Sequence, residues 1–309
     1  ILARYAANRL RVVRQVRYST HNENSIDLVL FLNGLPVATV ELKTDFTQSI
    51  GDAIDQYRLD RHPKGEPLLT FPSGALVHFA VSNSAVAMVT QLAGKDTRFL
   101  PFNLGADGAA GNPVNPAGGH RTAYLWQQVW ARESWLEILG RYMIAQRNQK
   151  KQIERVLFPR YHQLDVTRKL QAAVLAQSDT GAGGKYLVQH SAGSGKTNSI
   201  AWTAHFLAEL HDAQHAKLFD TVLVVSDRNV IDAQLQEALF DFQRTSGVVA
   251  TIKNADGSKS AALAEALSGQ KKIVVCTIQT FPFALEAVQK LAATQGKRFA
   301  VIADEAHSS

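Results

Sequence analysis

Tyr186-Leu187-Val188-Gln189-His190-Ser191-Ala192-Gly193-Ser194-Gly195-Lys196-Thr197 decides the fold of the C-terminal half. An apolar run over 186–189 reads as a strand, a glycine- and serine-rich turn follows, and a helical pattern occupies 200–210. Strand, turn and helix in that order are the context a phosphate-binding loop needs. Gly193 and Gly195 let the backbone wrap its amides around phosphate oxygens, with Ser194 between them, and the helix N-terminus adds its positive end. Lys196 is placed to reach the β- and γ-phosphates of a nucleotide, and Thr197 to hold Mg2+. One departure from the usual loop is His190, which stands where a first glycine is expected.

Around this loop, from about Phe158 onward, strands alternate with helices. The strands are read over 221–225, 272–277 and 299–303, the helices over 231–240 and 282–291. Apolar strands in such alternation predict a parallel sheet covered by helices on both faces. The last strand runs into Asp304-Glu305-Ala306-His307. It delivers two adjacent carboxylates at a strand C-terminus, where ligands of open α/β sheets bind. Asp304 is the expected Mg2+ ligand, Glu305 orients or activates the attacking water, and His307 couples nucleotide state to a neighbouring lobe. His211 and His215 would share a helix face, but no further Cys or His cluster accompanies them.

The N-terminal half has a different texture, with strands over 10–18, 26–32, 37–42 and 76–81 and a helix over 52–59. Asn33-Gly34 between two apolar runs is a hairpin signal. A two-residue loop would pair Asp27 with Val40 and put Leu28, Leu30 and Leu32 on the face of Glu41. A three-residue loop, Leu32-Asn33-Gly34 with Gly34 left-handed, shifts the register by one. Leu28 and Leu30 then join Ala38, Val40 and Leu42 on one apolar side, while Asp27, Glu41 and Lys43 share the other. The bulged loop is therefore the expectation. Two carboxylates and a lysine on one face suit Mg2+ binding and activation of water for phosphodiester cleavage. In that reading Asp27 and Glu41 are metal ligands, and Lys43 stabilises charge or helps deprotonate the water. A sheet face bearing ordinary solvated charges has the same string, and the residues alone leave both readings open.

Residues 103–121 carry five glycines and two prolines and read as a long surface loop. Beyond it Leu125, Val129, Trp130, Trp135, Leu136, Ile138 and Leu139 recur at helical spacing, giving two bridging helices with their tryptophans in the core. The chain is 309 residues, 46% hydrophobic and 19% charged, as in a globular protein of two domains. Its net charge of +6 permits a polyanionic partner. The single cysteine, Cys276, reads as a buried strand residue in a chain suited to a reducing cytoplasm. No apolar run approaches the roughly 18 residues a membrane span needs, and no signal peptide opens the chain. It starts at Ile1 and stops at Ser309, and both ends read as cuts.

Several stretches together resemble known families. Lys196, Thr197 and the Asp304-Glu305-Ala306-His307 string resemble superfamily 2 helicases and translocases, with Gln163 of Tyr161-His162-Gln163 placed like their adenine-sensing glutamine. Val224-Val225-Ser226-Asp227-Arg228, with Gln234 beyond, and Thr277-Ile278-Gln279-Thr280 are placed like their DNA-backbone motifs, although a salt bridge would equally explain Asp227 or Arg228. Asp27, Glu41 and Lys43 resemble the PD-(D/E)xK nucleases. Those nucleases often carry Gln-x-x-x-Tyr on the next helix; Gln56 fits the first place, but Asp60 holds the last, and Tyr57 is left out of the site.

Nuclease hairpin and DEAH motor in one chain are similar to the restriction (R) subunit of type I restriction–modification enzymes, as are Asn24 to Lys43, Leu92 to Asn103, Arg121 to Trp126 and Gln189 to Thr197. The resemblance implies an α/β chain: a PD-(D/E)xK-like mixed α/β nuclease core over 1–102, a Gly-rich loop and bridging helices over 103–150, and a parallel-sheet RecA-like P-loop domain over 151–309, cut after the DEAH motif. It implies ATP and Mg2+ as cofactors, double-stranded DNA as substrate, and cleavage of unmethylated DNA coupled to translocation. Modification and specificity subunits are the implied partners, S-adenosylmethionine belonging to them. A second motor lobe would supply an arginine to the γ-phosphate, so residues 1–309 alone are expected to hydrolyse ATP poorly. Two other classes stay open: a helicase-nuclease acting without methylation partners, and a non-catalytic DNA-binding assembly module.

Overall fold

A computed structural model of the chain describes residues 2–106, 109–178, 183–226, 233–243, 247–252, 265–267, 269, 271–280, 282, 286 and 296–305. They fall into two units, residues 1–162 and 163–309.

In the first unit a short helix, α1 (Leu2–Ala6), precedes β1 (Leu10–Arg17), β2 (Ser25–Leu32), β3 (Leu35–Leu42), α2 (Ile50–Leu59), β4 (Val77–Val81), β5 (Val86–Val89) and β6 (Leu100–Pro101). The six strands form one sheet in chain order, with β3 and β4 parallel and the other neighbours antiparallel. A parallel pair needs a crossover, and α2 lies in it.

The hairpin differs from expectation in its loop and its pairing and agrees in which residues share a face: a loop over 32–34 would set Asp27 opposite Thr39. Leu32 pairs with Leu35, so the loop is the two-residue Asn33-Gly34, with φ of 53° and 86° as a twist-matched tight turn requires. The extra residue sits further along β3: Phe31 pairs with Pro36 but Leu30 with Ala38, leaving Val37 as a bulge. Pro36 has no N–H to give a ladder, which favours the irregularity beside it. Beyond the bulge Leu28 faces Val40, the register that puts Asp27 level with Glu41.

The expectation of one apolar and one charged side is corrected, since Val37 through Glu41 are all buried. Tyr57 of α2 covers the Thr39 side. On the side of Val40 and Phe79, the Phe79 ring meets Phe102, Trp130 and Phe158 edge-on and Trp135 at a tilt. Trp135 is buried, and each such aromatic contributes about 2–3 kcal/mol. The bridging segment is one α-helix, α3 (Arg132–Glu137), between wide π-type turns at Leu125–Val129 and Ile138–Tyr142. A hairpin of β7 (Ile144–Arg147) and β8 (Ile153–Leu157) follows. Neither strand pair β5–β6 nor β7–β8 was expected from the pattern, because all are short.

The long helix α4 (Tyr161–Ser178) leads to α5 (Lys196–Ala208), β9 (Thr221–Ser226), α6 (Ala233–Asp241), β10 (Val249–Thr251), β11 (Ile273–Thr277) and β12 (Phe299–Ala303). The strands make a parallel sheet in the order β10-β11-β9-β12. β9 and β11 are buried throughout, as the unbroken apolar runs predicted, and Cys276 is fully buried in β11. Two expectations fail here. Residues 186–189 form no strand: no described strand pairs with them, and Leu187 is 85% exposed. And α5 stops at Ala208, so His211 and His215 lie on a loop and share no helix face.

Candidate active site

β2 and β3 part at Asp27. Their ladder ends at Leu28 and Val40, while β3 continues beside β4 to Leu42 and Val81. The Leu42 N–H donates instead to Asp27 Oδ2 at 2.8 Å, so a side-chain carboxylate replaces a ladder carbonyl. Gln15 Nε2 donates to Asp27 Oδ1 at 2.9 Å.

Glu41 is fully buried beside it. Arg61 Nε donates to Glu41 Oε1 at 2.7 Å, and Arg61 Nη2 to the Ser25 carbonyl at 2.9 Å. Glu41 Oε2 is buried without a hydrogen-bond partner, and so is Gln56 Oε1. Burial pushes the Glu41 carboxyl up to about 7 against the opposing pull of Arg61, and the nearby charge of Asp27 adds to the rise.

The start of α2 sets these positions. Asp52 Oδ2 accepts from the Ser49 N–H at 2.6 Å and from Ser49 Oγ at 2.8 Å, capping the helix so that Gln56 and Arg61 reach the split in the sheet. Asp27, Gln56, Asp60 and Arg61 line an open pocket of about 470 Å3, together with Glu23, Asn24 and Ser25. Tyr57 is not one of the residues lining it: its hydroxyl lies 2.8 Å from Thr39 Oγ1, which lies 2.7 Å from His78 Nδ1, all three side chains buried. Lys43 follows β3, its N–H donating to the Val81 carbonyl at 2.9 Å. Its ammonium adds to the Ser49 hydrogen bonds that hold the Asp52 carboxyl below its usual range.

In the second unit Gly193 and Gly195 adopt φ of 72° and 82°, and Lys196 opens α5. Gln163 Nε2 donates to the Gly195 carbonyl at 3.0 Å, and it is the left-handed φ of 82° that favours glycine at 195. Lys196 Nζ lies 2.7 Å from Glu305 Oε1. The Glu305 hydrogen bond holds the Lys196 ammonium above its ordinary value. Glu305 itself is left-handed, with φ of 53°, and its N–H donates to Asp304 Oδ1 at 3.0 Å. Ser194 is buried, and Thr197 is the second residue of α5. Asp304 follows β12 and Thr277-Ile278-Gln279-Thr280 follows on β11, both at the C-terminal edge of the sheet. Asp227, Arg228 and His307 lie outside the described residues.

Residues 3–97 match the family described as "Type I restriction enzyme R protein N terminus", and residues 162–309 match "SWI2/SNF2 ATPase". Together the two matches fit an R protein of type I restriction enzymes, with nuclease and translocase parts. No curated protein matches it in sequence comparison. The two matches, on the two structural units, make it a nuclease and ATPase chain, with a RecA-like fold in the second half.

Sequence reading did not find Arg61 or Gln15 in the R protein. Arg61 was visible only as a cation just past the predicted helix. Gln15 carries no sequence signal, because its place opposite Asp27 depends on the β1–β2 register.

The donor set at Asp27 and Glu41 fits a hard cation. Two carboxylates meet, and a buried carboxylate oxygen and a buried amide oxygen have no partner. Among the described residues no group of three or more His, Cys, Asp or Glu is placed to hold a metal. Mg2+ needs none, since it is commonly held by one or two carboxylates and completed by water and phosphate. Glu41 must ionise to bind it. With its carboxyl near 7, Mg2+ affinity without nucleotide should fall about tenfold per pH unit below 7 and level off above it. For the metal-free fold the sign is opposite. The folded state keeps a proton that the unfolded chain releases near its ordinary 4.5, so this stabilisation is complete below 4.5 and lost as pH rises through 7. Calorimetric Mg2+ titrations between pH 5.5 and 8.5 check the first statement; a flat affinity down to pH 5.5 would contradict it.

Proposed function

We propose that this R-protein chain couples ATP-driven translocation along double-stranded DNA to Mg2+-dependent cleavage of unmethylated DNA. The observation that carries the nuclease half is the meeting of Asp27 and Glu41 where β2 and β3 part, with Glu41 Oε2 left unpartnered. When bound there, Mg2+ would supply positive charge at the scissile phosphate. Asp27 and Glu41 hold it; Gln56, with its own unpartnered oxygen in the pocket wall, orients water or ligand. Lys43 stabilises charge on the phosphate or takes the water's proton.

In the motor half Gly193, Ser194 and Gly195 cradle the triphosphate, and Gln163 holds the loop in the shape that does so. Lys196 leaves Glu305 for the β- and γ-phosphates, freeing Glu305 to orient the attacking water; Thr197 and Asp304 hold the nucleotide's Mg2+. His307 couples that site to the rest of the motor. DNA contact is to phosphates, helped by exposed Arg11, Arg14 and Arg17 on β1, so binding weakens with salt. Base recognition and S-adenosylmethionine belong to specificity and modification subunits. The cytoplasm is the proposed compartment; no described helix is long and apolar enough to cross a membrane.

The test is cleavage of circular unmethylated DNA by the full-length protein with ATP and Mg2+, with and without the modification–specificity complex. Cleavage only with the complex supports the reading. Equal cleavage without it would make the chain a helicase-nuclease of another system, and none in either case a DNA-binding assembly module.

A further inference from the structure

Gln15 sits opposite Asp27 on β1 with a backbone φ of 49°. The left-handed region is costly for a residue with a Cβ in an otherwise extended strand. Gln15 is exposed, so burial does not hold it there. Its side-chain amide is engaged at both ends. Nε2 donates to Asp27 Oδ1 at 2.9 Å, and Oε1 accepts from Ser25 Oγ at 3.0 Å. Ser25 in turn offers its carbonyl to Arg61 Nη2, and Arg61 Nε holds Glu41 Oε1. One chain of hydrogen bonds therefore runs Asp27–Gln15–Ser25–Arg61–Glu41, joining the two carboxylates through residues that are not themselves ligands. Strained conformers persist where surrounding bonds over-determine them, and they concentrate at functional sites.

We propose that Gln15 is a positioning residue of the cation site, holding Asp27 in the orientation that Mg2+ binding needs. The proposal rests on the reading of Asp27 and Glu41 as cation ligands. Partners that orient metal-binding side chains typically account for 10–100-fold in metal affinity. Because the Gln15 backbone is strained, removing its side chain separates positioning from stability. Gln15→Gly relieves the strain, while Gln15→Leu keeps it, and both lose the amide bridge.

The experiment is a Mn2+ titration by electron paramagnetic resonance, without nucleotide, on the wild-type chain, Gln15→Gly, Gln15→Leu and Glu41→Ala, with a metal-free thermal melt of each. Expected are Mn2+ affinities about tenfold or more weaker for both Gln15 variants, and a melting temperature for Gln15→Gly unchanged or about 2 °C higher. A structural role alone would instead lower the melting temperature of both variants, and that pattern overturns the proposal. So does wild-type Mn2+ affinity in both variants when Glu41→Ala has lost binding. Wild-type protein that binds no Mn2+, or Glu41→Ala that binds it normally, removes the cation-site reading itself, and the proposal falls with it.

Discussion

On the proposed function, Glu41→Gln in the full-length protein with a modification–specificity complex is expected to lower DNA cleavage by roughly a thousandfold or more while ATP hydrolysis stays within about twofold. That loss corresponds to several kcal/mol of charge stabilisation at the scissile phosphate. The substitution removes the charge that faces the unpartnered side of the carboxylate but leaves an oxygen for Arg61 Nε. Glu41→Ala should lose cleavage equally and be less stable. It leaves the guanidinium of Arg61, whose side chain is 7% exposed, buried without its partner, a change that costs about 3–5 kcal/mol. Comparing the two separates chemistry from folding. Wild-type cleavage by a folded Glu41→Gln protein would move the nuclease elsewhere in the enzyme.

For Lys196→Ala the expectation is the reverse coupling: ATP hydrolysis below about 1% of wild type, and cleavage lost with it. Lys196 pairs with Glu305, and its removal takes away a positive charge that the triphosphate needs. Stability should barely move, because the side chains of Lys196 and Glu305 are 39% and 33% exposed and such a pair is screened by water. Rates of ATP turnover and of DNA cleavage on one preparation decide it. Cleavage that survives without ATP turnover would show that the nuclease runs independently of this motor.

Much of this was legible in the residues because the chemistry is local. Gly193, Gly195, Lys196 and Thr197 are neighbours in the chain, and a phosphate-binding turn is built from neighbours. The shared face of Asp27 and Glu41 was legible too, because alternation along two strands joined by a short turn restricts which side chains share a face. The same logic misplaced the extra residue. Parity demanded a shift of one between Asp27 and Glu41, but it cannot say where along the hairpin the shift occurs. The turn kept the two-residue form that Asn33-Gly34 favours, and the bulge moved to Val37 beside the proline.

The strand expected over 186–189 failed for a related reason. An apolar run reports burial or a strand only if another element comes to cover it, and no described strand does.

By itself, then, the sequence determined the apolar strands of the parallel sheet, the carboxylates that follow β12 and the shared face of Asp27 and Glu41. All are set by periodicity or by contacts a few residues apart. Tertiary structure alone decided how the carboxylates are held. Arg61 reaches Glu41 across 20 positions and Gln15 reaches Asp27 across 12. Those distances close only when β1 pairs with β2 and α2 packs over β3. Burial, which raises Glu41 to about 7, likewise exists only once both faces of the sheet are covered.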